Sequence, residues 1–427
     1  MLKSLHLKGV GPANELGPIQ FSERLNFITG DNGLGKSFIL DTAWWVLTRT
    51  WARDSVATPR ESFKTPSISF EYSKVTAGNK HGEIFFKNGL WPQPKARPAI
   101  PGVVIYAGVD GSFSAWDPAR NYWSSAEEEQ EEKIRAFNFT PNEVWHGATS
   151  EKGTNICNGL IADWVRWQQI APDSTFKELT KALDALSPSG LEKLEPGPPR
   201  YLGAIDETLY PTLRMPYGED VPLTHASAGM RRIAALAYLI VWTWSGHQRA
   251  CKIRGIKPAK EIIFLIDEIE CHLHPQWQRR IVPALLNVMK VMTREKVSVQ
   301  LIVATHSPLV LASVEPEFDE SKDSVFHIRL SDGQALIEPE IWAKQGDVVN
   351  WLVSDTFGMQ QARSVEAERA IEAAEAWMRG ELTDLPDKLN TGRKIHNELI
   401  RVLPGGDHFW PRWIVWTEKH KTKGSVK

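Results

Sequence analysis

Eight residues, Gly30-Asp31-Asn32-Gly33-Leu34-Gly35-Lys36-Ser37, complete the pattern G-x-x-x-x-G-K-[ST]. Glycines at these spacings let consecutive backbone N–H groups turn inward around phosphate oxygens, and a helix opening directly after them adds its positive end. Lys36 would offset charge on the β- and γ-phosphates, and the Ser37 hydroxyl would ligate Mg²⁺. A second constellation, Ile262-Ile263-Phe264-Leu265-Ile266-Asp267-Glu268, ends an apolar run in two carboxylates. Asp267 suits Mg²⁺, held through water, and Glu268 suits polarisation of an attacking water. A third, Leu301-Ile302-Val303-Ala304-Thr305-His306-Ser307-Pro308, delivers one histidine after another apolar run. An imidazole there would donate to a γ-phosphate and order the water network. Lys36, Glu268 and His306 are therefore the expected catalytic set.

A fourth piece is Thr224-His225-Ala226-Ser227-Ala228-Gly229-Met230-Arg231-Arg232, a small-residue turn leading into an apolar helix from Ile233 to Trp244. Ser227 could simply cap that helix. Because the chain already has its own phosphate loop, Ser227 and Gly229 are also expected to serve a second nucleotide, on a partner subunit.

Elements must position these groups. Ser4 to Lys8 alternates polar and apolar, as an edge strand would. Leu25 to Thr29 reads as a buried strand feeding the glycine loop, and Ser37 to Arg49 as the helix that leaves it. Asp267 and Glu268 close a central strand, at the carboxyl edge where open α/β sheets bind ligands. A helix from Gln276 to Met292 and a strand from Val297 to Val303 then carry the chain to His306 in one βαβ step.

Composition narrows the class. The 427 residues allow two or three domains. Lys+Arg 50 against Asp+Glu 52 leaves a formal charge of -2, so no global basic field draws the chain to nucleic acid, and DNA contact would need a local patch. Three cysteines (Cys157, Cys251, Cys271) without CxxC pairing fit a reducing compartment. No apolar run of about 18 residues exists to span a bilayer. A soluble, cytoplasmic protein is expected. The 18 tryptophans, among them Trp44, Trp45, Trp164 and Trp167, lie in apolar contexts and read as core or interface packing.

Taken together the four pieces resemble the ABC-type ATPases of the SMC, RecF and OLD group. Ala226-Ser227-Ala228-Gly229-Met230 looks like a degenerate LSGGQ signature that keeps the serine and the second glycine. Leu265-Ile266-Asp267-Glu268 resembles the Walker B strand and base, and His306 the switch histidine. Asp267 to Pro275 is similar to the DE-x-E-x-x-LHP form of OLD-like and defence-associated ATPases. Within the group the chain looks most like stand-alone ATPase subunits of bacterial antiphage systems, such as the Septu ATPase, that work beside a separate nuclease. That resemblance rests on the LHP run, a short insert and a C-terminal segment around Phe409-Trp410-Pro411-Arg412-Trp413. It implies an α/β fold, a P-loop ABC-type head on a mixed or parallel sheet, with an inserted α+β lobe and a helical C-terminal region. It implies ATP and Mg²⁺ as ligands, a homodimer or higher even-numbered oligomer, and control of a nuclease; a RecF-like repair ATPase acting on DNA directly is the alternative. The family's Q-loop glutamine has four candidates: Gln93, Gln130, Gln168 and Gln169.

The expected domains are 1–55 and 221–335 for the two parts of the head, 56–220 for the insert, and 336–427 for the C-terminal extension. Within the insert, Ser67 to Ser73, Gly82 to Lys87 and Val103 to Tyr106 read as strands, Glu127 to Ala136 as a solvated acidic helix, and Asn158 to Leu186 as two helices. No sustained heptads predict a coiled-coil arm. No nuclease motif or paired-cysteine zinc pattern accompanies the head, and Cys271, His272 and His274 are expected to form a structural turn. Ser364 caps a predicted helix to Arg379. Phe409 to Trp416 could pack on its own domain or dock a partner, and Lys419 to Lys423 form a basic tail.

Overall fold

A computed structural model describes residues 1–52, 56–73, 75, 79–92, 99–121, 134–170, 174–187, 193–293, 297–383 and 385–421. Two compact units divide the chain, Met1–Gly346 and Asp347–Lys427.

The first unit opens with a hairpin of β1 (Leu2–Val10) and β2 (Ala13–Gln20). Next come β3 (Leu25–Gly30) and α1 (Lys36–Thr48), joined by the glycine loop, and then β4 (Ser67–Tyr72) and β5 (His81–Phe85). The chain continues through β6 (Val103–Ala107), β7 (Phe113–Trp116), β8 (Phe137–Phe139), α2 (Pro141–His146) and the short ribbon β9 (Ala148–Thr149) with β10 (Asn155–Cys157). Helices α3 (Leu160–Gln169) and α4 (Ser174–Leu186) precede a three-stranded sheet of β11 (Glu195–Tyr201), β12 (Leu209–Arg214) and β13 (Asp220–Pro222). The long α5 (Ala228–Arg254) leads to β14 (Glu261–Asp267), α6 (Pro275–Gln278), α7 (Ile281–Thr293), β15 (Ser298–Ala304), α8 (Pro308–Val314), β16 (Asp323–Ser331) and β17 (Gln334–Glu340).

Eight strands form the large sheet in the order β17-β16-β3-β15-β14-β6-β7-β8. The five from β16 to β6 are parallel, and antiparallel strands flank them on both sides. The central strands are buried along nearly their whole length, so they are apolar on both faces. Ile263 and Leu265 of β14, Ile302 and Ala304 of β15, and Val104 and Tyr106 of β6 share one core with α1 and the β2-β1-β4-β5 sheet. Trp44 and Trp45 are buried there, and Trp164, on α3, is buried as well. Because β3, β15 and β14 are adjacent and parallel, Gly30, Thr305 and Asp267 all emerge at one edge of the sheet.

Three expectations change. Ser4 to Lys8 is not at an edge, since β1 pairs with β2 on one side and β4 on the other. Alternation reports one buried face, here Leu5 and Leu7, and is silent about how many edges are paired. The helix expected from Gln276 to Met292 is two helices, α6 and α7. Pro283 has no N–H for the carbonyl of Arg279, and its ring would crowd that carbonyl. Within the stretch read as insert, β6, β7 and β8 belong to the large sheet beside β14. The acidic segment Glu127 to Ala136 lies mostly outside the described residues.

The second unit holds α9 (Val348–Val353), α10 (Val365–Arg379), α11 (Gly392–Val402) and α12 (Phe409–Lys421). Ser364 caps α10 by accepting the Ala367 N–H. Ala370, Ile371, Ala374, Ile395 and Leu399 pack with Phe409 and Trp413, so the aromatic segment fills this unit's own core on one face of α12. Arg363 and Asp407 tie the approaches to α10 and α12. The basic tail beyond residue 421 lies outside the described residues.

Candidate functional site

The glycine loop takes backbone angles that side chains resist. Gly30, Gly33 and Gly35 sit at φ of 132°, 79° and 99°. A Cβ on Gly30 would stand 2.2 Å from the Ile328 carbonyl oxygen of the neighbouring strand, so no other residue fits where the loop leaves β3. Lys36, at the first turn of α1, folds back and donates to the carbonyls of Gly30 and Asp31, both at 2.8 Å. It is 6% exposed, and burial lowers its pKa against the opposing pull of Glu268 and Asp267. The ammonium therefore lies inside the loop it would share with a phosphate chain.

One residue on, the Ser37 hydroxyl donates to Asp267 Oδ1 at 3.0 Å, joining the start of α1 to the end of β14. A hydroxyl and a carboxylate at this spacing are the hard oxygen donors that Mg²⁺ takes, with nucleotide phosphates completing the set. Asp267 is 1% exposed.

Beyond Asp267 the chain turns sharply. Glu268 keeps one ladder bond, from its N–H to the Ala304 carbonyl at 3.0 Å, and adopts a left-handed φ of 47°. That conformation is uncommon for a non-glycine residue and is sustained by its surroundings. It brings Glu268 Oε1 to 3.9 Å from His306 Nε2. Burial lowers the His306 pKa, and the nearby Lys36 charge lowers it further. The imidazole is accordingly neutral at neutral pH, able to donate from one nitrogen and accept at the other.

Two flanking groups fix the histidine turn. Glu270 accepts the Thr305 hydroxyl at 2.8 Å and the His306 backbone N–H at 2.5 Å. Gln278, on α6, accepts from Ser307 Oγ at 2.7 Å and donates to the Leu273 carbonyl at 2.9 Å. Burial raises the Glu270 pKa. His274 supplies the N-cap of α6, and His272 occupies a left-handed turn, so the Cys271–His274 segment shapes the backbone here.

Ser227 stands apart from this cluster. Its hydroxyl accepts the Met230 N–H at 3.3 Å as the N-cap of α5, and the residue is exposed. Among the described residues no hydrogen bond joins Ser227 or Gly229 to the phosphate loop. Gly229 instead lies close against the turn after β14: a Cβ there would approach the His272 carbonyl to 2.9 Å. Arg232, one turn into α5, donates to the carbonyls of Val109 at 2.7 Å and of Gly108 and Glu268, both at 3.4 Å.

Of the expected site residues, the fold thus gathers the Gly30–Ser37 loop, Asp267, Glu268 and His306 at one sheet edge. Ser227 and Gly229 begin the helix braced behind Glu268. Sequence reasoning missed Glu270, Gln278 and Arg232; the signal for Glu270 was its i+2 spacing from Glu268 just past a strand end. Of the glutamine candidates, Gln168 donates to the Gly197 carbonyl at 2.9 Å from α3, which Gln169 also ends. Gln93 and Gln130 fall outside the described residues.

Two protein-family models match the chain: "AAA domain" over residues 4–101 and "AAA domain, putative AbiEii toxin, Type IV TA system" over residues 140–312. The Retron Ec83 probable ATPase of Escherichia coli is 34% identical over 99 residues, 23% of this chain and only 15% of that protein's length. The Septu protein PtuA of Bacillus thuringiensis is 22% identical over 85% of this chain and 86% of its own. Among solved structures, the SMC head domain from Thermotoga maritima aligns at a TM-score of 0.37 with 18% identity, over 80% of this chain and 99% of that one. No helix among the described residues is long and apolar enough to cross a membrane. The two AAA domain matches cover the phosphate loop and the Asp267-Glu268 strand end, the two pieces that the fold brings to one sheet edge.

Proposed function

We propose that this chain binds ATP with Mg²⁺ and hydrolyses it to ADP and phosphate. The observation that carries the proposal is the 3.0 Å contact between Ser37 and Asp267, with Lys36 beside it and Glu268 at 3.9 Å from His306. The loop N–H groups and Lys36 hold the phosphate chain. Ser37 and Asp267 are the residues that would hold Mg²⁺, which when bound offsets charge on the β- and γ-phosphates. Glu268 accepts a proton from the attacking water, and neutral His306 donates to the γ-phosphate while orienting that water. Ser227, exposed, and Gly229, half-buried, stand at a helix start bonded to none of these groups among the described residues and serve the nucleotide of a second copy, so that two chains enclose two ATP molecules. Phosphate charge would draw the two faces together, and its loss on hydrolysis would release them.

This switch controls a separate effector, a nuclease, in defence against phage. Support for the coupling is the likeness to the retron ATPase and to the Septu protein, together with the motifs shared with defence ATPases. The test is Glu268→Gln with native mass spectrometry. Turnover should fall by about 10²–10⁴-fold with ATP binding retained, the usual range for a lost general base. The variant should accumulate as an even-numbered, ATP-filled assembly. Undiminished turnover would remove Glu268 from the role of base, and an ATP-bound monomer would remove the sandwich.

A further inference from the structure

We propose that Glu270 is a positioning residue for ATP hydrolysis, holding the histidine turn in register with Glu268. The inference deepens the ATPase proposal and rests on it. Glu268 and His306 come from different strands, β14 and β15, and each lies just beyond its strand's last residue. Past Asp267 and Ala304 the ladder contributes only the Glu268 N–H bond to the Ala304 carbonyl. The relative placement of the two side chains must therefore come from contacts made by the turns.

Glu270 makes the direct one. Both its oxygens reach across to the other turn, one to the Thr305 hydroxyl and one to the His306 backbone N–H. A bidentate carboxylate fixes an orientation as well as a distance. Gln278 holds the next residue, Ser307, from α6, so the turn is gripped on both sides of His306. Glu270 itself sits in a tight turn in which Cys271 N–H bonds the Glu268 carbonyl and Leu273 N–H bonds the Glu270 carbonyl. The same Glu268 carbonyl receives Arg232. Glu268 and Glu270 thus move with one rigid turn, and Glu270 carries that rigidity to His306. It touches no reacting atom and acts through the histidine.

Three variants and one double mutant test this on the 427-residue chain. Glu270→Ala should lower kcat by about 10²-fold, the effect of roughly 1 Å of misplacement, with KM for ATP within about 2-fold. Glu270→Gln should recover most of that loss. Its amide oxygen still accepts the His306 N–H, and its NH₂ can donate to Thr305 once the hydroxyl reverses. In a His306→Ala background, adding Glu270→Ala should cost nothing further, because the interaction it supports has gone. Glu270→Gln as damaging as Glu270→Ala would make the charge essential and overturn a positioning role. Additive losses in the double mutant would assign Glu270 a function independent of His306, with the same consequence. Measuring ATP binding and turnover of the wild type in the same series separates the two levels. Absence of both in the wild type sinks the ATPase proposal, whereas a fully active Glu270→Ala sinks only this inference.

Discussion

The two parts of this chain proposed to meet nucleotide are held in different ways. At the sheet edge, side chains bind one another: Ser37 to Asp267, Glu270 to Thr305, Gln278 to Ser307, with Lys36 folded onto loop carbonyls. At the start of α5, support is almost all backbone. Ser227 caps its own helix, Gly229 lies against the His272 carbonyl, and Arg232 grips three carbonyls. The first arrangement suits groups that act on a nucleotide held by the same chain. The second presents a helix start on a rigid mount, with Ser227 exposed and, among the described residues, bonded to none of the sheet-edge groups. A site finished by a second copy would be built in this way.

Removing Lys36 tests the self-contained half hardest. Lys36→Ala deletes the cation from the loop, and kcat/KM for ATP should fall by about 10²–10³-fold, as when a transition-state donor is lost. ATP affinity of the isolated chain, measured by calorimetry, should fall with it. Affinity unchanged by this substitution would mean that the loop N–H groups alone hold the phosphates.

Ser227 tests the exposed half, and two substitutions separate its roles. Ser227→Asp keeps a good N-cap and favours the helix dipole, so α5 should be undisturbed. It also places a carboxylate where a second chain's phosphates would lie. Turnover should drop by roughly 10-fold or more through misplaced or repelled nucleotide, while nucleotide binding by the isolated chain stays put. Ser227→Arg should behave likewise through bulk. Wild-type turnover in both variants would reduce Ser227 to a cap and end the composite site.

Much of this was legible beforehand because both halves are motifs with fixed spacing. The glycine loop, the Asp267-Glu268 strand end and the His306 strand end were placed by residue type and apolar runs alone, and the fold brings them to one edge. What escaped was information carried by the third dimension. Glu270 and Gln278 were hidden because their partners, Thr305 and Ser307, lie 35 and 29 residues away. The role of β6 to β8 was hidden because a short apolar strand reads the same in a lobe as at the flank of a sheet. The β1 error has a similar origin, since edge pairing leaves no mark on one strand's own alternation.

The pH dependence of turnover probes the environment shared by Lys36 and His306. Burial and the Lys36 charge both lower the His306 pKa below its ordinary 6.5, so the neutral imidazole persists to more acid pH than in a free histidine. If that form is the active one, kcat/KM for ATP, which reports groups of the free protein, should stay flat as pH falls through 6.5 and decline only below it. Lys36→Arg keeps the charge and should leave the acid limb where it is. An acid limb centred at or above 6.5 would mean that the histidine is not held neutral, or that another group controls the step.

The smallest effect concerns what stands behind the loop. Tyr72, on β4, donates from its hydroxyl to the Val46 carbonyl of α1 at 2.6 Å, fastening the phosphate-loop helix to the four-stranded sheet. Burial pushes its pKa up to about 12 from the ordinary 10. The fold favours the protonated phenol, so this contribution is present in full below pH 10 and is lost as pH rises through 12. Two pKa units correspond to about 3 kcal/mol across that window. Tyr72→Phe leaves the Val46 carbonyl without this donor and should cost about 1 kcal/mol at neutral pH, measured from urea midpoints. Because phenylalanine cannot ionise, the gap between wild type and variant should close as pH climbs above 10 and then reverse. A constant gap from pH 8 to 11.5 would show that Tyr72 does not titrate with the fold. Since Tyr72 touches neither Lys36 nor Ser37, turnover at neutral pH should be nearly unchanged, which confines the loop's chemistry to the sheet edge in front of α1.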